Sequence, residues 1–231
     1  MRSPLLRSLF SSTVGKKVII ALTGVSLILF VVVHLAGNLT LVFGNADTFN
    51  AYAHKLMNLG PLLYLAEFLL ATVFIFHFSL AIYTTLKNRG ARSKNYVLLK
   101  SAGRVSKKTI SSRTMIYSGI IIIAFIVIHL ITFKYGPGIS DGYVAMIGGE
   151  AVRDLFRLVV EAFQKEWYVA FYVFSMLVLG THLRHGFWSA IQSLGLNNPS
   201  SSQPAYTLGL ILAVIMAFGF LFIPLYVYFV Y

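Results

Sequence analysis

The sequence predicts an all-α membrane protein with five transmembrane helices, forming a single domain over residues 1–231. Three observations carry this reading. Of 231 residues, 58% are hydrophobic and only 11% are charged, far from the balance of a soluble domain. Five apolar runs reach the length of about 20 residues that a helix needs to cross a bilayer. Lysine and arginine gather in alternate connections between those runs.

Taken in order, the runs predict helix I at about 17–43, helix II at about 62–87, helix III at about 114–134, helix IV at about 167–193 and helix V at about 205–230. The basic start followed by an apolar run is like a signal peptide. The run from Val18 to Phe43 is long enough to span, and no small-x-small cleavage site follows it, so it reads as a retained first helix. Pro224 either kinks helix V or marks its end. Gly136-Pro137-Gly138 reads as a turn, and Asn197 to Pro204 as a short polar loop. No internal repeat is evident.

Charge sets the orientation. Arg2, Arg7, Lys16 and Lys17 precede helix I, and nine Lys/Arg with no acid lie between Lys87 and Arg113. All seven acids lie in or beside the I–II and III–IV connections: Asp47, Glu67, Asp141, Glu150, Asp154, Glu161 and Glu166. This asymmetry puts the N-terminus and the II–III and IV–V loops in the cytoplasm, and the C-terminus outside. The net charge of +12 is then a property of the cytoplasmic face, suited to anionic lipid or an acidic soluble subunit and calling for no nucleic acid. The absence of cysteine excludes disulfides, thiolate metal sites and cysteine-held iron–sulfur clusters within this chain.

Two outer connections have helical periodicity. After Asp47, read as an N-cap, Phe49, Tyr52, Ala53 and Leu56 share a face; Val152, Leu155, Phe156, Val159 and Phe163 do the same, with Arg153, Asp154, Arg157 and Glu161 opposite. Each is either a helix lying on the membrane surface or a cap over the bundle.

Four of the runs carry one deep histidine each: His34, His77, His129 and His182. Imidazole is a poor guest in hydrocarbon, so its presence there needs a reason. At 1.5 Å of rise per residue, His34 lies roughly 25 Å and His129 roughly 24 Å from the inner ends of their helices, while His77 and His182 both lie about 15 Å up. The four thus sort into an outer pair, His34 and His129, and an inner pair, His77 and His182. Two histidines at one depth on different helices are what a bis-imidazole haem b requires, with helices I–IV bundled around two such haems. The alternatives for any one membrane histidine are a packed, hydrogen-bonded bundle residue or a step in a proton path.

Neighbouring residues extend this reading. Gly186 and Ala81 each stand four residues after an inner histidine, on its helix face, where a flat macrocycle needs an opening. Gly24 and Gly119 each stand ten residues before an outer histidine. Arg184 and His185 are candidates to hold a haem propionate, the alternative for Arg184 being to snorkel to the surface. Trp188 reads as the start of the cytoplasmic interface. Glu67 is either a functional membrane carboxylate or half of an interhelical hydrogen bond.

These residues resemble a known family. Leu22-Thr23-Gly24-Val25, His34-Leu35 with Asn38, Phe49 to His54, His77, His129 and His182-x-x-x-Gly186-Phe187-Trp188-Ser189 stand in the order seen in the single-polypeptide, five-helix, diheme cytochrome b membrane anchor of succinate:quinone oxidoreductases, the succinate dehydrogenases and fumarate reductases. The resemblance covers nearly the whole chain. It implies an electron-transfer and quinone-reactive subunit of a bacterial cytoplasmic membrane, with no catalytic residues of its own. Flavoprotein and iron–sulfur subunits would dock on the basic face. Two haems b would be held by His77 with His182 and by His34 with His129. The quinone implied is menaquinone, near the outer haem, where His54, Asn50, Glu67 and Lys134 are the candidate lining. The chain departs from some fumarate-reducing relatives by reading Asn50 and Gly180 where they carry glutamates, so no transmembrane proton path is implied. Two other classes compete: a diheme cytochrome b of a different oxidoreductase, whose catalytic partner would sit outside, and a haem-free transporter with a histidine relay, which broken helices or inverted repeats would favour.

Overall fold

A computed structural model describes residues 11–90, 110–196, 198 and 202–231, with backbone alone for 110–113. Arg2 and Arg7, most of the basic II–III connection and part of the 197–204 loop lie outside the described residues.

The described chain is mostly helical. Its elements are α1 (Thr13–Asn38), α2 (Thr40–Phe43), α3 (Ala46–Met57), α4 (Pro61–Gly90), α5 (Ile110–His129) with a π-helical turn (Leu130–Lys134), β1 (Val144–Ile147), β2 (Glu150–Arg153), α6 (Leu155–Phe163), α7 (Glu166–Ser193) and α8 (Ser202–Val230). Among the described residues, four helices are long and apolar enough to cross a membrane: Thr13–Phe43, Pro61–Gly90, Thr114–Lys134 and Ser202–Val230. These correspond to helices I, II, III and V. The counterpart of helix IV, α7, has 28 residues but is not among them. Its tyrosines, histidines and Arg184 dilute its apolar character. Pro224 lies inside α8, fully buried, and the helix continues to Val230.

The residues group into two compact units. One holds residues up to Leu29, Leu69–Gly119 and Thr181–Ala213; the other holds Phe30–Phe68, Ile120–Gly180 and Val214–Tyr231. The first contains His77 and His182, and the second contains His34 and His129.

The second unit contains α3, the β1–β2 hairpin and α6, and two expectations change there. The N-cap of α3 is Asn45, not Asp47: the Asn45 side chain accepts the Thr48 N–H at 2.8 Å, and Asp47 falls inside the first turn, where a negative charge suits the helix dipole. The helix expected from Val152 onward begins only at Leu155. Residues 144–153 instead form a hairpin, with Ile147 opposite Glu150 and the turn made by Gly148 and Gly149 at φ 60° and 87°. Positive φ at both central residues is the condition for a type I′ two-residue hairpin, and the Gly-Gly pair is the sequence signal that marks it. Val152 is therefore buried as a strand residue, and Asp154 caps α6 by accepting the Arg157 N–H at 3.0 Å.

Polar ties fix this cap. Asn50 is 1% exposed; its amide donates to Asp154 at 2.9 Å, and its carbonyl oxygen accepts the Phe156 N–H at 2.9 Å. α3 is thereby clipped to the start of α6. The Arg153 guanidinium donates to the carbonyls of Pro137 at 2.8 Å, Gly136 at 3.0 Å and Lys134 at 3.4 Å, satisfying backbone left over where α5 ends. On the exposed face Glu161 accepts from the Tyr143 hydroxyl and from Arg157.

Two outcomes follow. Asn50→Ala leaves the Phe156 N–H without its acceptor and takes one of two hydrogen bonds from Asp154, and it destabilises the protein by about 1–3 kcal/mol, read from thermal unfolding in detergent. The hydrogen bond from Tyr143 and then the Arg157 interaction hold the Glu161 carboxyl below its ordinary 4.5, so these contacts are complete above that pH and fail only as pH falls through the lowered value. Tyr143→Phe moves the Glu161 titration upward, as followed by carboxyl-carbon NMR.

Candidate haem-binding histidine pairs

In the first unit, His77 comes from α4 and His182 from α7. Their seats are supplied by two other helices. His77 Nδ1 lies 3.1 Å from Thr23 Oγ1 and 3.1 Å from the Ile20 carbonyl oxygen, both on α1. His182 Nδ1 lies 2.9 Å from Ser118 Oγ on α5. A Cβ added at Gly24 would stand 3.1 Å from His77 Cε1, and one at Gly119 would stand 3.7 Å from His182 Cε1. The two histidines belong to the same compact unit.

In the second unit, the rings of His34 and His129 stand 5.7 Å apart, centre to centre, at 85°. His129 Nδ1 lies 3.0 Å from the Tyr172 hydroxyl, which in turn takes a hydrogen bond from Tyr168 at 3.2 Å. Both tyrosines are buried. His34 is held by ring contacts, stacked on Phe30 at 5.3 Å and facing Phe220 at 5.9 Å. Asn38 donates to the His34 carbonyl at 2.8 Å.

The donor set can be tested against a six-coordinate iron porphyrin. Metal–imidazole bonds run about 2 Å, so two rings on opposite sides of one metal stand roughly 6 Å apart centre to centre. The His34–His129 separation of 5.7 Å matches that span. Ligating histidines characteristically spend their second nitrogen on a hydrogen bond that fixes ring and tautomer. His77, His129 and His182 each engage Nδ1 in a hydrogen bond to another helix, leaving Nε2 outside that bond. α4, which carries His77, buries no residue completely. Among the described residues no group of three or more His, Cys, Asp or Glu could hold a metal ion; a haem asks for two protein ligands per iron.

The other candidates find different surroundings. The space at Gly186 faces Met115 rather than His182. Ala81 is partly exposed one turn beyond His77. His185 lies near His182. Arg184 donates to the Tyr206 hydroxyl and lies over the Tyr206 ring at 5.2 Å, so its charge is engaged by α8. Trp188, expected at an interface, is buried against Tyr206 at 5.8 Å. Glu67 pairs with Lys134, joining α4 to the π-turn that follows His129. His54 meets Asn58 at 2.9 Å and Glu150 at 3.4 Å. Both ends of the Asn50 amide are committed to α6 and its cap.

Sequence reasoning missed Thr23, Ser118 and Tyr172. A signal for the first two was present: a hydroxyl residue precedes each of the equally spaced glycines, so helices I and III both read Thr/Ser-Gly ten residues before their own histidine. A scan against family models and searches of curated proteins and of solved structures found no match to this chain.

The two glycines differ in tolerance. Gly24→Ala forces the His77 ring to shift and costs about 1–3 kcal/mol of stability. Gly119→Ala makes an ordinary contact and stays within about 1 kcal/mol of the parent. Thermal unfolding of the two variants in detergent checks the difference.

Proposed function

We propose that this chain is the membrane-anchor cytochrome b subunit of a bacterial succinate:quinone oxidoreductase, carrying electrons between an iron–sulfur subunit and membrane quinone. The observation that carries the reading is the sorting of the four histidines of the long helices into two pairs, His34 with His129 at 5.7 Å between ring centres and His77 with His182 in one compact unit, three of the four with Nδ1 engaged by another helix. His77 with His182 would hold an inner haem b, and His34 with His129 an outer one. Bound there, the haems would supply two one-electron carriers. The chain's own contribution is to hold neutral imidazoles at fixed orientation and to keep their surroundings apolar, which tunes affinity for the electron.

The fifth span of this reading is α7. Its 28 residues rise about 42 Å, more than the roughly 30 Å of hydrocarbon. Its polar residues face partners rather than lipid: His182 meets Ser118, Arg184 meets Tyr206, and Tyr172 meets His129. The basic connection is read as cytoplasmic and as the dock for the flavoprotein and iron–sulfur subunits, with the C-terminus outside. Menaquinone is the quinone the resemblance favours, and His54, Asn50, Glu67 and Lys134 all belong to the unit that holds the outer pair.

A second reading, a haem-free proton relay, is favoured by one feature, the buried Tyr168–Tyr172–His129 hydrogen-bonded chain. One measurement separates the two. The purified chain, with whatever accompanies it, should give a reduced-minus-oxidised b-type spectrum and two haems by pyridine haemochrome. His77→Ala or His182→Ala should remove one haem, and His34→Ala or His129→Ala the other. A haem-free protein ends the first reading; loss of the same haem from the His34 and His182 variants ends the pairing.

A further inference from the structure

We propose that Thr23-Gly24 on α1 and Ser118-Gly119 on α5 are matched seats that lock His77 and His182 into the Nδ1–H tautomer, with each Nε2 lone pair presented to a ligand. Thr23 and Ser118 are positioning residues in this scheme.

The tautomer follows from where each proton can go. The Ile20 carbonyl can only accept, so the nitrogen 3.1 Å from it must carry hydrogen. Thr23 directs its own hydroxyl hydrogen to the Ile19 carbonyl at 2.7 Å, so its remaining capacity toward His77 is as an acceptor. Ser118 directs its hydrogen to the Met115 carbonyl at 2.9 Å, and toward His182 it likewise only accepts. Both inner imidazoles therefore donate from Nδ1. In each seat the glycine that follows leaves the ring edge room, with Cε1 3.1 Å and 3.7 Å from where a Cβ would stand.

The outer pair is built differently. The Tyr172 hydroxyl can donate to His129 Nδ1 or accept from it, because its other neighbour, Tyr168, is also a hydroxyl. Neither tautomer of His129 is imposed. A locked pair and an unlocked pair thus occur in one chain. The two seats also differ in strength. His77 shares its proton between Thr23 and Ile20, whereas among the described residues Ser118 is the hydrogen-bond partner of His182 Nδ1. An acceptor on Nδ1 makes the imidazole a stronger donor and so favours ferric over ferrous iron; this consequence rests on the proposed function, whereas the tautomer does not.

The test uses the full chain with its co-purifying partners. With two haems bound, Ser118→Ala raises the midpoint potential of one haem and changes its low-spin electron paramagnetic resonance signal. Thr23→Val does the same to that haem by less, Thr23→Ser returns it toward the parent, and the other haem is unmoved. Selective loss of that one haem from Ser118→Ala also supports the seats. Unchanged potentials with both haems retained, or equal shifts in both, overturn them. Where Ser118→Ala does not accumulate, the Thr23→Val and Thr23→Ser pair decides. If the parent protein holds no haem, the proposed function fails but the seats are still tested. Nitrogen-15 histidine spectra of that protein should show His77 and His182 as Nδ1–H, and the Nε2–H form at either position overturns the inference.

Discussion

An imidazole inside a spanning helix has two nitrogens to satisfy and no water to satisfy them. That requirement organises much of this protein. An unpaired polar group in a low-dielectric interior costs several kcal/mol, and three of the four histidines draw a hydrogen-bond partner from another helix. Thr23 and Ile20 serve His77, Ser118 serves His182, and Tyr172 serves His129. Each bond crosses from one helix to another. The same bonds that neutralise the cost of burial also tie helices together and aim the second ring nitrogen.

Glycine supplies the matching steric condition. A ring that must donate to a residue on a neighbouring helix needs the backbone there to lie close, and a side chain on the facing residue would hold the ring off. Gly24 and Gly119 stand next in sequence to the hydroxyls that take the histidine protons, so acceptor and space come from one dipeptide. The chemistry on offer is limited and specific: neutral imidazole pairs, one pair fixed in tautomer, in apolar surroundings.

The second unit meets a different demand. Its helix ends and hairpin must satisfy their own backbone and tie short elements into one body. It does so with an apolar core that includes Phe49, Leu158, Val159 and Phe163, joined by polar clips: Asn50 between α3 and α6, and Arg153 over the carbonyls that close α5. Asn50 therefore has a sufficient structural role, and among the four outer residues considered for a quinone it is the one with least freedom to serve another partner.

Long-range periodic features were legible in the sequence. Apolar length marked four of the long helices, and constant helical rise sorted His34 with His129 and His77 with His182, because depth along a helix depends only on residue count. The helix over 167–193 was legible as a helix, though its polar residues keep it from standing out by apolarity alone. Local pattern misled where two periods compete. Val152 fitted a helical face, but Gly148-Gly149 turns the chain back as a hairpin, a signal two residues long that a window of eleven averages away. The seats were hidden for another reason. Thr23 and Gly24 look like ordinary membrane-helix residues, and nothing in their own helix says that they serve His77, 54 and 53 positions away. Residue count gives height along a helix, but which face meets which neighbour is set only when the helices pack, and that is where the hydroxyls, the glycines and the histidine tautomers were decided.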